Sequence, residues 1–383
     1  MSIPVTTEPT YSDHSTIDGQ DGIVRRLSVG EHHFETGGYL PEVELAYETF
    51  GTLNAEGSNA VLVLHALTGD AHVATGHAAQ PGWWADFVGP GLTVDTDKYF
   101  VLSVNMLGGC NGSTGPSSHN AQGHPYGSSF PFTTIRDAVH VEAKLADALG
   151  IDVFHAVMGG SMGGARALEW AVQYPDRVRN LVVMAATGQS TAEQIAFAQV
   201  QIEAIRQDPY FAQGDYYANA VGPDAGLGIA RKLAHITYRS EAELEHRFGR
   251  TAQGQEQPLG SATWPRGRYQ VESYLDHQAG KLVNRFDANS YVVLTEALMS
   301  HDIARGFDSF EAALARLAGV NVVIAAVRSD RLYFPEQSER LAAALPVPKP
   351  VYYIDSPIGH DGFLTDAKQL HGVLSHLVFE QEP

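Results

Sequence analysis

Ser161 stands between two glycine pairs, Gly159-Gly160 and Gly163-Gly164, with Met162 as the one residue intervening. An apolar run, Val153 to Met158, precedes it, and a helix-forming run, Ala165 to Val172, follows. Strand, G-x-S-x-G, helix is the pattern of a nucleophile elbow, a turn so tight that its flanking residues must be nearly free of side chains. Such a turn lifts the serine oxygen above the end of a sheet and aims a helix N-terminus at it. The chemistry it suits is attack by the hydroxyl on an acyl carbonyl.

A serine nucleophile needs a base, and the base needs an orienting acid. Behind an elbow of this kind the chain order is Ser, then Asp or Glu, then His, each just past a strand end. Asp330 follows the apolar run that ends at Val327, and His360 lies in a Gly-rich loop after the run that ends at Ile354. Asp355 sits too close to its own strand end. Asp361 adjoins the histidine and cannot easily reach around the ring. Ser161, Asp330 and His360 are therefore the expected triad. The oxyanion formed on attack requires preorganised donors, worth about 3 kcal/mol each. The expected pair is the backbone N–H of Met162 and that of Leu67, in the loop His65-Ala66-Leu67-Thr68-Gly69-Asp70.

A second glycine-rich loop runs from Leu107 to Pro116. It lacks the lysine of a P-loop and the spacing of a dinucleotide fingerprint, so it is expected to line the pocket, with Cys110 as a small buried residue. His32-His33 and the scattered His72 and His77 lack ligand spacing with supporting carboxylates, and no metal site is expected.

These residues must be carried by a sheet. Val43 to Phe50 alternates, as an antiparallel strand near an edge would, whereas Ala60 to Leu67 and Tyr99 to Asn105 are continuous apolar runs suited to strands buried on both faces. Leu181 to Ala186, Val320 to Val327 and Pro350 to Ile354 add further strands, separated by helical spacing at 134–149, 336–345 and 367–379. Strand–helix alternation implies an α/β fold, a mostly parallel central sheet flanked by helices. Between 189 and 304 the grammar changes to helices at 192–207, 227–237, 241–248, 271–285 and 290–299. The expected organisation is a core in two parts, 23–188 and 305–383, with 189–304 inserted as a helical cap and 1–22 a loosely ordered N-terminal segment.

Hydrophobic residues make up 44% of the 383, so a large core is available. With 44 acidic and 25 basic residues the formal charge is −19, which argues against nucleic acid or an anionic membrane as partner. An anionic ligand would then need a local basic spot. A lone cysteine excludes an internal disulfide, and neither an 18-residue apolar run nor a basic-then-apolar leader is present, so a cytoplasmic protein is expected.

The blocks Leu64 to Asp70, Asn105 to Ser118, Gly159 to Gly164 and Gly359 to Leu364 together resemble the homoserine O-acetyltransferase family. Cap segments Gly226 to Arg239 and Arg285 to Tyr291 are similar too, and the resemblance runs from about Leu27 to Phe379. It implies an α/β-hydrolase fold and the triad Ser161, Asp330 and His360. It also implies Arg231 and Asp361 as substrate-binding residues, the arginine for the carboxylate of L-homoserine and the aspartate for its ammonium. The implied reaction is ping-pong transfer from acetyl-CoA, a co-substrate, with no bound cofactor, in a homodimer built through the cap. A homoserine O-succinyltransferase and a carboxylester hydrolase on the same fold are the alternatives; a hydrolase has no need of an amino acid clamp, and a succinyl tail needs an added cation near the acyl pocket.

Overall fold

In the computed structural model, which describes residues 21–260 and 266–380, eight strands form the central sheet. They are β1 Arg25–Ser28, β2 Glu44–Phe50, β3 Ala60–Leu64, β4 Phe100–Val104, β5 Phe154–Gly160, β6 Val178–Met184, β7 Asn321–Val327 and β8 Val351–Ile354. Their order across the sheet is β1-β2-β4-β3-β5-β6-β7-β8. The β1–β2 and β2–β4 pairs are antiparallel and every later pair is parallel. Strand order reverses around β3, which lies between β4 and β5, so the carboxyl ends of β3 and β5 bound the crevice where ligands bind in open α/β sheets.

The continuous apolar runs are explained by burial on both sides. Leu62, Val157, Val183 and Ile324 point into one core, while Val61, Met158, Val182 and Val323 point into the other. All seven residues of β5 are buried. β2 differs from the half-solvated strand that its alternation suggests: Glu48 is buried as well, and its carboxylate meets His72 Nδ1 at 2.9 Å. Helices α1 (Ile135–Ala148) and α2 (Met162–Gln173) pack beside each other against the sheet. Thr134 and Asp137 form a capping box that starts α1 where the chain enters from a loop.

Among the described residues six α-helices lie between β6 and β7, and the first five form one excursion: α3 Ala192–Arg206, α4 Asp224–Tyr238, α5 Glu241–Phe248, α6 Gln270–Val283 and α7 Ala288–Met299. The base of this helical excursion is zipped shut. Ser190 N–H donates to the His301 carbonyl and Ile303 N–H to the Gly188 carbonyl, both at 3.0 Å. A third apolar cluster, with Met106, Met162, Ile205, Leu227 and Tyr291, joins these helices to the sheet domain.

After β7 come α9 (Pro335–Ala344) and, past β8, two short helices, α10 (Gly362–Thr365) and α11 (His371–Leu374); α8 (Phe310–Ala315) precedes β7. One continuous helix over 367–379 is not what forms: a 3-10 turn, α11 and a π turn share that stretch. The reason is competition for its carbonyls. Asn321 Nδ2, His155 Nε2 and Tyr99 Oη donate to the carbonyls of Leu377, Val378 and Phe379 at 2.8, 2.8 and 2.6 Å, drawing them out of an α-helical ladder. The segment 1–22 lies almost wholly outside the described residues. Among the described residues no helix is long and apolar enough to cross a membrane.

Candidate active site

Ser161 joins β5 to α2 with φ 58° and ψ −127°. A residue with a side chain holds that left-handed φ only where its surroundings enforce it. Ser161 N–H donates to the Met184 carbonyl, and the Ala165 N–H returns to the Ser161 carbonyl, both at 3.0 Å. A Cβ on Gly163 would overlap the Leu64 carbonyl, so α2 can begin this close to β3 only with glycine there. A side chain on Gly160 would collide with the Phe363 ring, which packs 5.3 Å from the His360 ring.

Asp330 follows β7 and His360 follows β8. They meet: His360 Nδ1 lies 2.7 Å from Asp330 Oδ2. The other oxygen, Oδ1, accepts the backbone N–H groups of Leu332 and Tyr333 at 2.8 and 2.9 Å. With acceptors on that side, Nδ1 carries the proton and Nε2 presents its lone pair. Nε2 is buried and has no hydrogen-bond partner among the described residues. Ser161 Oγ is therefore outside hydrogen-bonding geometry with it. Burial pushes the imidazole down, but the Asp330 charge and hydrogen bond outweigh it, and the net shift is upward. Tyr333 stacks on the ring at 5.1 Å. Ser161, Asp330 and His360 are 6%, 3% and 2% exposed.

Leu67 and Ser161 line one cavity together with Phe197, Leu298, Tyr238 and Tyr333. The Leu67 N–H has no backbone acceptor among the described residues, and Met162 opens α2, where N–H groups lack helical acceptors. Two backbone donors, one in the wall of the serine's cavity and one next to it in the chain, thus lack backbone acceptors among the described residues.

Sequence reasoning gives His65 no role, yet this buried ring fixes the loop. Its Nε2 is 3.0 Å from the Met106 N–H, which can only donate, so Nδ1 bears the proton and donates to the Ala66 carbonyl at 2.7 Å. Burial first, and then the Arg166 charge, hold the imidazole down at about 3, so it stays neutral. Ala66 C=O and Leu67 N–H belong to one planar trans peptide and point in opposite directions. Holding the carbonyl, which also accepts the Gly69 N–H at 2.9 Å, therefore aims the Leu67 N–H.

The loop 107–116 does not line that cavity as expected from its glycines. It serves β2 instead: Ser113 Oγ and Thr114 Oγ1 accept the N–H groups of Ala46 and Glu44 at 2.9 and 2.8 Å. Burial pushes the Cys110 thiol up to about 11, which leaves it inert as a nucleophile. Among the described residues no His, Cys, Asp and Glu groups converge as a metal site.

The α/beta hydrolase fold model matches residues 59–367. A homoserine O-acetyltransferase of Thermobifida fusca is 53% identical over 349 residues, 90% of each chain. The chain belongs to the homoserine O-acetyltransferase family. A crystal structure of homoserine O-acetyltransferase from Bacillus anthracis has a TM-score of 0.84 at 30% identity, covering 94% of this chain and 99% of that one. The crystal structure of esterase E22 also reaches 0.84, at 26% identity, covering 93% and 99%. The homoserine O-acetyltransferase backbone thus also serves an esterase, and side chains must separate the two activities.

Arg231 comes from α4 and Asp361 follows His360. The two do not form an ion pair with each other. Arg231 Nη1 donates to Thr68 Oγ1 at 3.3 Å, and its guanidinium lies 5.7 Å from the Tyr238 ring. Asp361 already has a cationic neighbour: its Oδ2 is 3.2 Å from Arg239 Nη2. Burial pushes the Asp361 carboxyl up, while Arg239, His360 and Arg231 pull the other way, and the net shift is upward. The sequence carried no signal for the Arg239 contact, because it forms between the α4–α5 turn and a loop more than a hundred residues later.

Proposed function

We propose that the enzyme transfers an acetyl group from acetyl-CoA to the side-chain hydroxyl of L-homoserine through an acyl-serine, releasing CoA before homoserine enters. The observation that carries this reading is the buried Asp330–His360 pair beside an elbow serine, under a helical cap that brings arginines to the site. His360 Nε2 takes the Ser161 proton as Oγ adds to the thioester carbonyl. The oxyanion faces the N–H groups of Leu67 and Met162. Collapse breaks the carbon–sulfur bond, and the imidazolium returns its proton to the departing thiolate. In the second half His360 takes the proton of the homoserine hydroxyl, which adds to the acyl-serine. Breaking the ester bond to Ser161 releases O-acetyl-L-homoserine, and Ser161 regains a proton from His360. This product places the enzyme in methionine biosynthesis.

The acyl choice follows from the cavity wall. Leu67, Phe197, Ala198, Leu298 and Met299 face it beside the polar Ser190, Gln194, Gln201 and Thr295, and among the described residues no lysine or arginine lines it to pair the terminal carboxylate of a succinyl group. Acetyl-CoA is therefore the favoured donor. Arg231 suits the acceptor's carboxylate. Asp361 suits its ammonium, which shares that carboxylate with Arg239. Exposed Ile195, Val200 and Ile229 on α3 and α4 supply an apolar surface for a homodimer through the cap, and a cytoplasmic setting fits the single cysteine.

Purified protein with acetyl-CoA is expected to release thiol at least tenfold faster when homoserine is added, and to do so poorly with succinyl-CoA. Equal release without any amino acid would make it a thioesterase; faster release with succinyl-CoA would reverse the donor.

His65 gives a second check, on the oxyanion arrangement. His65→Ala frees the Ala66–Leu67 peptide, and kcat is expected to fall about a hundredfold, the usual cost of one misplaced oxyanion donor, with little change in KM for homoserine. His65→Asn, whose amide can still donate to the Ala66 carbonyl, is expected to recover part of it. A loss confined to KM would place the role of His65 elsewhere.

A further inference from the structure

Two cap arginines converge on one residue of the oxyanion loop. Arg231 Nη1 donates to Thr68 Oγ1 at 3.3 Å, and Arg285 Nη1, from the α6–α7 turn, donates to the Thr68 carbonyl at 3.0 Å. Among the described residues neither guanidinium has a carboxylate within ion-pair distance. Arg239, by contrast, is already matched by Asp361 at 3.2 Å and Glu243 at 3.8 Å. Asp70 of the same loop acts on Arg285 only through space, without an ion pair, and its Oδ1 accepts the His72 N–H. Arg231 Nε is buried with no acceptor, while Arg285 reaches solvent. In a chain of formal charge −19, two like charges held on one threonine call for an anion.

We propose that Arg285 is a specificity residue: with Arg231 it forms a two-guanidinium seat for the α-carboxylate of the acceptor, and so selects a free amino acid over a neutral alcohol. This rests on the reading of Arg231 as the acceptor's carboxylate site. Reach favours the acceptor over the phosphates of CoA. Thr68 is one residue, about 3.8 Å of chain, beyond the oxyanion donor Leu67. The carboxylate of a four-carbon hydroxy amino acid lies within about 6 Å of its hydroxyl, whereas a pantetheine arm, roughly four residues long, holds the phosphates about 14 Å from the thioester. Arg285 donates to the carbonyl of Thr68, the residue after Leu67, and so is held at the near end of that span. The remaining donors of its fork can take one carboxylate oxygen while Arg231 takes the other.

The test compares homoserine with homoserine amide, in which the carboxylate is neutral, at saturating acetyl-CoA. For Arg285→Gln the preference for homoserine over the amide, as the ratio of kcat/KM values, is expected to fall about tenfold to a hundredfold, through KM for homoserine. Arg285→Lys is expected to restore part of it. An unchanged ratio overturns the proposal, as does a change confined to KM for acetyl-CoA, which would assign the guanidinium to the donor. If Arg231→Ala also leaves KM for homoserine unmoved, the reading of the acceptor site itself fails. An Arg231 effect beside a silent Arg285 rejects Arg285 alone.

Discussion

Ser161→Ala is expected to abolish transfer, lowering kcat by about 10⁴-fold to 10⁶-fold, and to leave no acetyl-sized mass increment on the intact protein after incubation with acetyl-CoA. The substitution is clean for a structural reason. Ser161 already sits at φ 58°, so alanine inherits a backbone strain that the elbow imposes on any side chain, and the hydroxyl makes no hydrogen bond that the fold requires. His360, Asp330 and the two backbone donors stay where they are, and residual rate reports binding and oxyanion stabilisation alone. An acyl adduct that survives in Ser161→Ala moves the nucleophile to another side chain. Cys110 is a poor substitute, with its thiol pushed up to about 11 by burial. Loss of turnover with a persistent adduct would place the serine in the second half-reaction only.

The parts of this site that were legible in the sequence are those that local sterics dictate. Gly163 reports a backbone contact with Leu64 that no side chain tolerates, and the β3 and β5 runs report burial on two faces. Asp330 and His360 were legible because parallel strands bring their carboxyl ends together, whatever the intervening distance in sequence. What could not be read are contacts between the cap and the catalytic loops. Gln194 of α3 donates to the Leu332 carbonyl beside Asp330 at 2.9 Å, and Ser240 N–H donates to the Ile358 carbonyl beside His360 at 2.9 Å. Arg231 and Arg285 hold Thr68 beside Leu67. Each joins a helix or an inter-helix turn to a backbone or hydroxyl group far away in the chain, and nothing in either partner's own segment points to the other. The glycines of 107–116 misled for a related reason. They signal a close backbone approach but not its target, which is β2 rather than the cavity. The helices between β6 and β7 are thereby fastened to the loops that carry Leu67, Asp330 and His360 at once, so their positions are set together.

That shared positioning makes Asp330→Asn the most informative change after the serine itself. The carboxylate divides its work: Oδ1 takes the N–H groups of Leu332 and Tyr333, and Oδ2 takes His360 Nδ1 at 2.7 Å. An asparagine must turn its carbonyl oxygen toward the two backbone donors, since an amide NH2 there would meet them head-on. Its NH2 then faces His360 Nδ1 and donates, which forces the imidazole proton onto Nε2. The ring now presents a proton, not a lone pair, to Ser161. The expected loss in kcat is about 10⁴-fold, or about 5.5 kcal/mol of transition-state stabilisation. The pH profile separates this from a general loosening. His360 must be neutral to act as base, so kcat/KM rises with pH through its pKa. Burial lowers that pKa and Asp330 raises it by more, putting the acid limb of the native enzyme above the ordinary histidine value of 6.5. In Asp330→Asn both contributions of the carboxylate vanish while the burial remains, so the limb moves to lower pH even as the plateau falls. A loss of less than tenfold, or an acid limb that stays in place, would mean that Asp330 neither sets the tautomer nor supplies the charge that holds the base ready.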